Sequence, residues 1–249
     1  MILFRLTSGF KHLAVSLLKS PFFLPIRGKR HLIVVHVGKC GGKSVKRAIE
    51  NSPRWLAKYR KISIWHTFTQ KIPDINADYI LIVRNPIHRA LSAFNYRYFQ
   101  VVKTRSDPRV FEGELEALSR AKSMNNLAES LYQNGELASP AKSLFDSIHH
   151  LGDETIASYL DPIFSLNLDQ RIIAVLTTHT LQSDCQRELG LRIGHKHNTS
   201  AKVDQDQLAL STLAISNLRK LLLPDYLVLE ELASKYRLTP EQEKGLLVP

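Results

Sequence analysis

The stretch HLIVVHVGKCGGKSV, residues 31–45, decides the fold of this chain. Leu32 to Val37 is a short, β-branched apolar run, which predicts a buried strand. It breaks at Gly38 into a loop holding Lys39, Cys40, Gly41, Gly42, Lys43 and Ser44, and Val45 to Ile49 reads as the start of a helix. Strand, glycine loop and helix N-terminus together form an anion cradle. Glycines let the backbone approach closely, freed N–H groups point inward, and the helix end carries partial positive charge. Two lysines add full charges, so the expected ligand carries phosphate or a group like it.

The spacing departs from a Walker A loop, which needs a glycine five residues before the Gly-Lys-Ser. Val37 stands there, and Gly38 comes one place late. No apolar strand of the sequence ends in a clear magnesium-binding Asp. A second stretch, YILIVRNPIHRALSAF over residues 79–94, repeats the form of the first. An apolar strand from Tyr79 to Val83 ends in Arg84, and Pro86 opens a helix where its missing N–H costs little. Arg89 and Ser92 follow one turn apart on that helix. Arginine suits bidentate recognition of a phosphate, and a serine hydroxyl can donate to a further oxygen.

Gly38-Lys39-Cys40-Gly41-Gly42-Lys43-Ser44 resembles the 5′-phosphosulfate loop of sulfotransferases, usually written Pro-Lys-Thr/Ser/Cys-Gly-Gly-Thr-Ser. Gly38 stands for the usual Pro and Lys43 for a usual Thr. The run Arg84-Asn85-Pro86, Arg89, Ser92 resembles the 3′-phosphate motif of the same enzymes. The two motifs, in order and each at a strand end, are similar to those of the carbohydrate branch, Golgi-type and bacterial. The likeness covers roughly residues 31–236. It implies sulfuryl transfer from 3′-phosphoadenosine 5′-phosphosulfate to a hydroxyl of an acceptor, expected to be a glycan or glycolipid, with no metal and no nucleic acid.

Carried over residue by residue, the likeness assigns the cosubstrate's 5′ end to Lys39, Cys40, Gly41, Gly42, Lys43, Ser44 and Val45. It assigns the 3′-phosphate to Arg84 and Ser92. Further on, strand, Thr178-His-Thr180-Leu-Gln-Ser-Asp184 and helix resemble the segment before the family's late nucleotide loop. Gly194 to Ser200 looks like that loop, with Asn198 and Ser200 matching it. The Asp225-Tyr226 pair resembles the family's C-terminal end. Lys39 is expected to be catalytic, stabilising the leaving phosphate together with the loop backbone. The expected base is His66, in Trp65-His66-Thr67, because relatives carry a His between the two phosphate motifs. His36, on the first strand, reads as a core residue, and His88 as outward-facing.

Of the 34 Lys/Arg and 23 Asp/Glu, 13 and one respectively lie in residues 1–60, so the rest of the chain is close to neutral. Basic excess confined to the segment around the anion loop favours a polyanionic ligand or an acidic surface there over general nucleic-acid binding. At 249 residues the chain can bury a substantial core. Two cysteines supply no disulfide framework and no CxxC pair, which is compatible with a reducing cytoplasm. Residues 1–30 form a basic, apolar lead whose runs are too short to span a bilayer and are broken by Lys11, His12 and Lys19. It reads as a packed helix or as a membrane-surface helix.

Alternating strands and helices predict an α/β fold: a P-loop-like, three-layer arrangement with a central parallel sheet and helix-rich insertions, ligand at the strand C-termini. The first helix is expected to run to about Ala57, passing or ending near Pro53, and Pro86 to about Val102 to form one aromatic-rich helix. From Arg105 to Pro162 helices are expected and no strand. His149-His150 reads as a pair pointing apart on a helix, and His195 with His197 lack a third metal ligand. Closing helices are expected over 208–235, with 237–249 as a tail. Two other classes stay open: a P-loop kinase or NTPase built on Lys43 and magnesium, and a catalytically silent nucleotide-binding or membrane-surface scaffold.

Overall fold

The computed structural model describes residues 30–65, 73–152, 154–194 and 209–249. Four parallel strands form its centre: β1 (His31–His36), β2 (Lys61–Trp65), β3 (Asp78–Val83) and β6 (Ile172–Thr177), in the order β2-β1-β3-β6. Parallel strands need long crossovers, and the covering helices bury both faces of the sheet. Every residue of β3 and five of six in β1 are accordingly buried. The expectation of an α/β fold with a central parallel sheet holds, and the flanking helices are compatible with three layers.

The strand order carries the functional argument. After β1 the chain crosses to β2 on one side, then returns to the other side of β1 to lay down β3. The C-terminal ends of β1 and β3 therefore flank the point where winding direction reverses, the crevice where open α/β sheets bind ligands. Both motif loops leave the sheet there.

The helix after β1 takes the shorter of its two expected courses, ending just before Pro53. α1 (Gly42–Glu50) stops at Asn51, and α2 (Pro53–Lys58) starts afresh with Pro53 in its first turn. Proline lacks the N–H needed to continue a helix but suits the start of one. α3 (Pro86–Arg97) agrees with expectation and widens into a π-helical turn over Tyr98–Lys103.

Beyond it, α4 (Glu114–Ala121), α5 (Met124–Ser130), α6 (Ser139–Ser147) and α7 (Ile156–Ser165) supply the helix-rich insertion. A two-residue hairpin, β4 (Tyr132–Gln133) with β5 (Glu136–Leu137), corrects the expectation of no strand in this region. Its turn is Asn134-Gly135, both at positive φ, the pairing that tight hairpins favour. Strands of two residues are too short to show an alternating pattern.

α8 (Leu181–Asp184) follows β6, and α9 (Thr212–Leu221) and α10 (Leu223–Lys235) close the chain as expected. The expected tail holds a further helix, α11 (Pro240–Leu247), with a capping box at Thr239 and Gln242. It is packed into the domain: Gln242 donates to the Val175 carbonyl of β6, and Asn85 donates to the Leu246 carbonyl at 2.8 Å. Two apolar cores result, one built on the sheet and one on α3 to α6 with α9, and Leu247 packs against both. Among the described residues no helix is long and apolar enough to cross a membrane.

Candidate functional site

Each glycine of the anion loop has its own reason to be there. Gly41 sits at φ 83°, a left-handed conformation that glycine adopts at no steric cost. A Cβ on Gly42 would lie 2.2 Å from the His36 ring, so the first turn of α1 rests directly on that side chain. His36 is buried, as expected of a strand residue in the core. A Cβ on Gly38 would lie 2.7 Å from His150 Nδ1 and 3.1 Å from a Glu154 carboxylate oxygen. The place where the sulfotransferase loop usually has Pro is thus taken up by a histidine and a glutamate from the α6–α7 connection.

The loop is held by hydrogen bonds from three directions. Arg84 Nη1 donates to the Lys39 carbonyl at 3.1 Å, joining the ends of β1 and β3 directly. Thr178, just after β6, donates its hydroxyl to the Cys40 carbonyl at 3.0 Å. Asp184 holds that turn by accepting from the Thr177 amide and the Thr180 hydroxyl, each at 2.8 Å. Arg89 Nε donates to the Gly38 carbonyl at 3.1 Å. Lys39 itself takes φ 71°, and a non-glycine residue in that region stores strain of the kind found at functional sites.

The loop's electrostatics suit an anion. α1 begins with no side-chain cap and no acidic residue in its first turn; the Ser44 amide donates to the Gly41 carbonyl at 3.1 Å, and the Gly42 and Lys43 amides before it lead the helix. Lys39 Nζ lies 3.5 Å from the centroid of the Tyr96 ring. Burial foremost, then the nearby charges of Arg84 and Lys43, bring the Lys39 pKa down to about 8. An anion set among these cations would relieve that strain. Cys40 is buried and its thiol is pushed up to about 11 by burial, so it is a neutral filler of the loop. Ser44 is half-buried, Val45 buried and Lys43 exposed.

On α3, Ser92 is half-buried and four residues before Tyr96, hence on the same helix face. Lys39 lies over Tyr96 on that face, and Arg84 follows the end of β3 beside the loop. Arg89 does not fit the phosphate role. It is 1% exposed, and its guanidinium also donates to the His150 carbonyl at 2.9 Å and to the Glu154 carbonyl. With Nε and Nη2 engaged by three backbone carbonyls, it staples the anion loop to the α6–α7 connection. Asn85 is structural too: it caps α3 by accepting from the His88 amide, and Tyr226 donates to it. Asp225 is buried under Arg89's charge and caps α7 by accepting from the Ala157 amide at 2.9 Å. His88 is exposed, as expected.

His149 and His150 correct the reading of a pair pointing apart. They lie in a turn after α6, with His150 at φ 74°, and their rings come to 3.8 Å between centroids. His149 stacks on Phe111 at 4.2 Å, and burial holds its imidazole down to about 4. His150 Nδ1 is hydrogen-bonded to Glu154 at 2.5 Å. These three are the group that could share a metal among the described residues, with ligand atoms within 4.8 Å of one another. Sequence reasoning missed Glu154, the bond from Thr178 to the anion loop and the contact of Lys39 with Tyr96. The available signal was Gly38 itself, a residue with no side chain where the resemblance expects proline. His66, Asn198 and Ser200 lie outside the described residues.

Comparison with family models, with curated proteins and with solved structures returns no match.

Proposed function

We propose that the chain is a sulfotransferase, moving the sulfuryl group of 3′-phosphoadenosine 5′-phosphosulfate to a hydroxyl of a carbohydrate acceptor. The observation that carries this reading is the meeting of the two motif loops at the switch point of the sheet, with Arg84 bonded to the Lys39 carbonyl. One loop offers helix-end amides and a lysine for the 5′ end; the other offers Arg84 and Ser92 for the 3′-phosphate.

The chemistry resembles phosphoryl transfer, with charge growing on the leaving 5′-phosphate oxygen. Preorganised cations and N–H groups aimed at that oxygen lower the barrier. In this reading Lys39 and the amides of Gly42 and Lys43 would serve that oxygen, and the low Lys39 pKa suits a side chain that also delivers a proton. The P-loop kinase reading fares worse on two counts. Its essential lysine would be Lys43, which is exposed, and β3 ends in the cation Arg84 where a magnesium ligand would be a carboxylate. The two free, buried cysteines suit work in a reducing cytoplasm. Any membrane contact belongs to residues 1–30, almost wholly outside the described part.

Calorimetric titration with adenosine 3′,5′-bisphosphate and with ATP plus magnesium tests the assignment. Tight binding of the first alone is expected. Tight binding of ATP–magnesium alone would replace this reading with the kinase one, and binding of neither would leave the chain a scaffold.

A further inference from the structure

The sulfotransferase scheme needs a group to accept the acceptor's proton, and the described residues bring one to the anion loop. His150 and Glu154 come from the α6–α7 connection, far along the chain from Gly38. They nevertheless fill the space that any side chain on Gly38 would need. Arg89 fixes them there, bonding the backbone carbonyls of Gly38, His150 and Glu154 with one guanidinium. The pair is thus held at the root of the loop, one residue from Lys39.

Three features mark the pair as built. His150 adopts a left-handed backbone at φ 74°, unfavourable for a residue with a Cβ and kept only where surroundings over-determine it. Its ring is braced by His149, itself stacked on Phe111 and held through its amide by Glu114 at 3.0 Å. The side chains of His150 and Glu154 are 10% and 13% exposed, largely sheltered from bulk water. Among the described residues, Nε2 of His150 is in no hydrogen bond. A carboxylate on Nδ1 holds the proton there and leaves the lone pair on Nε2.

We propose that His150, oriented by Glu154, is the general base of the transfer; this rests on the sulfotransferase reading above. The acceptor's O–H proton passes to Nε2 of His150, and the oxygen's electron pair forms the new O–S bond. The S–O bond to the 5′-phosphate breaks, its electron pair staying on the phosphate oxygen beside Lys39. Glu154 is a positioning residue, and His149 a neutral brace. The same three side chains fit a metal less well. Donors around a zinc ion at bonds of about 2.0–2.1 Å stand roughly 3.3 Å apart in a tetrahedron, whereas His150 and Glu154 meet at 2.5 Å, as a hydrogen-bonded pair. The Arg89 guanidinium adjoining them also opposes a cation.

The test uses the full chain with ¹⁵N-labelled histidine. Neutral His150 should carry its proton on Nδ1; Glu154→Ala should abolish that preference and Glu154→Gln, whose amide oxygen still accepts, should restore it. A His150 proton on Nε2 in the wild type would overturn the assignment. Single-turnover hydrolysis of 3′-phosphoadenosine 5′-phosphosulfate should fall ~10²–10⁴-fold in His150→Ala, with partial rescue by added imidazole and unchanged affinity for adenosine 3′,5′-bisphosphate. Unaltered hydrolysis in His150→Ala would also overturn it, as would a collapse of hydrolysis in His66→Ala while His150→Ala stays active. So would tight binding of zinc to the wild type that His150→Ala loses. If the wild type does not bind adenosine 3′,5′-bisphosphate, the parent reading fails instead, and the two failures are distinct.

Discussion

Replacing Arg89 separates two roles that sequence alone runs together, phosphate ligand and structural staple. Its guanidinium donates to three backbone carbonyls, those of Gly38, His150 and Glu154. Hydrogen bonds from a charged donor contribute ~1.5–3 kcal/mol each, and leaving a buried acceptor unpaired is costly. Two of the three share one nitrogen, so simple addition overstates the total. Arg89→Met should destabilise the fold by about 3–5 kcal/mol, the more so because buried Asp225 loses a nearby cation. For a chain of this length each kcal/mol moves Tm by roughly 2–4 °C, so thermal unfolding should shift down by about 6–20 °C. Arg89→Lys offers an ammonium in place of the planar fork and should keep less than half of that stability. In Arg89→Lys the ratio of affinities for adenosine 3′,5′-bisphosphate and 5′-AMP should stay within about twofold of the wild type. A Tm change below about 2 °C, together with a tenfold selective loss of the bisphosphate, would refute the staple and return Arg89 to the phosphate.

Arg84→Ala and Ser92→Ala should each weaken adenosine 3′,5′-bisphosphate roughly ten- to hundredfold while sparing 5′-AMP, by calorimetry; equal losses for both ligands would deny them the 3′ position. Lys39→Ala should remove most single-turnover activity and Lys43→Ala leave a measurable fraction, the reverse order favouring the kinase reading. Lys39 should be modified by an amine-reactive reagent with a midpoint near pH 8, and bound bisphosphate should move that midpoint upward by restoring the charged form. The sign for stability is the same: the unfolded chain binds more protons than the folded one between about pH 8 and 10.5, so this lysine makes the free protein more stable as pH rises through that window. A Tm that falls over that interval in the wild type relative to Lys39→Met would contradict it. Gly42→Ala should destabilise the chain by ~1–3 kcal/mol through contact with His36, and His36→Ala should relieve most of that loss.

The sequence by itself determined the elements with strong local signals. β1 and β3 were legible because buried parallel strands are continuous β-branched runs, and α1 and α3 because a glycine loop and Pro86 mark where helices begin. Lys39, Arg84 and Ser92 are singled out by sequence because they occupy strand ends and helix turns whose spacing is local. Tertiary structure decided what depends on partners distant along the chain. Arg89 looks like a phosphate ligand from its neighbours, but the carbonyls of His150 and Glu154, some sixty residues away, engage its Nη2. His149 and His150 would diverge on a helix; a left-handed turn at His150 brings their rings together. The hairpin at Asn134-Gly135 and the helix after Pro240 escape pattern reading because one is too short for a period and the other is stabilised by Asn85 and the edge of the sheet. Gly38 belongs to both accounts: its absence of a side chain is written in the sequence, and the reason for it, a histidine–glutamate pair seated against the loop, exists only once the chain has folded.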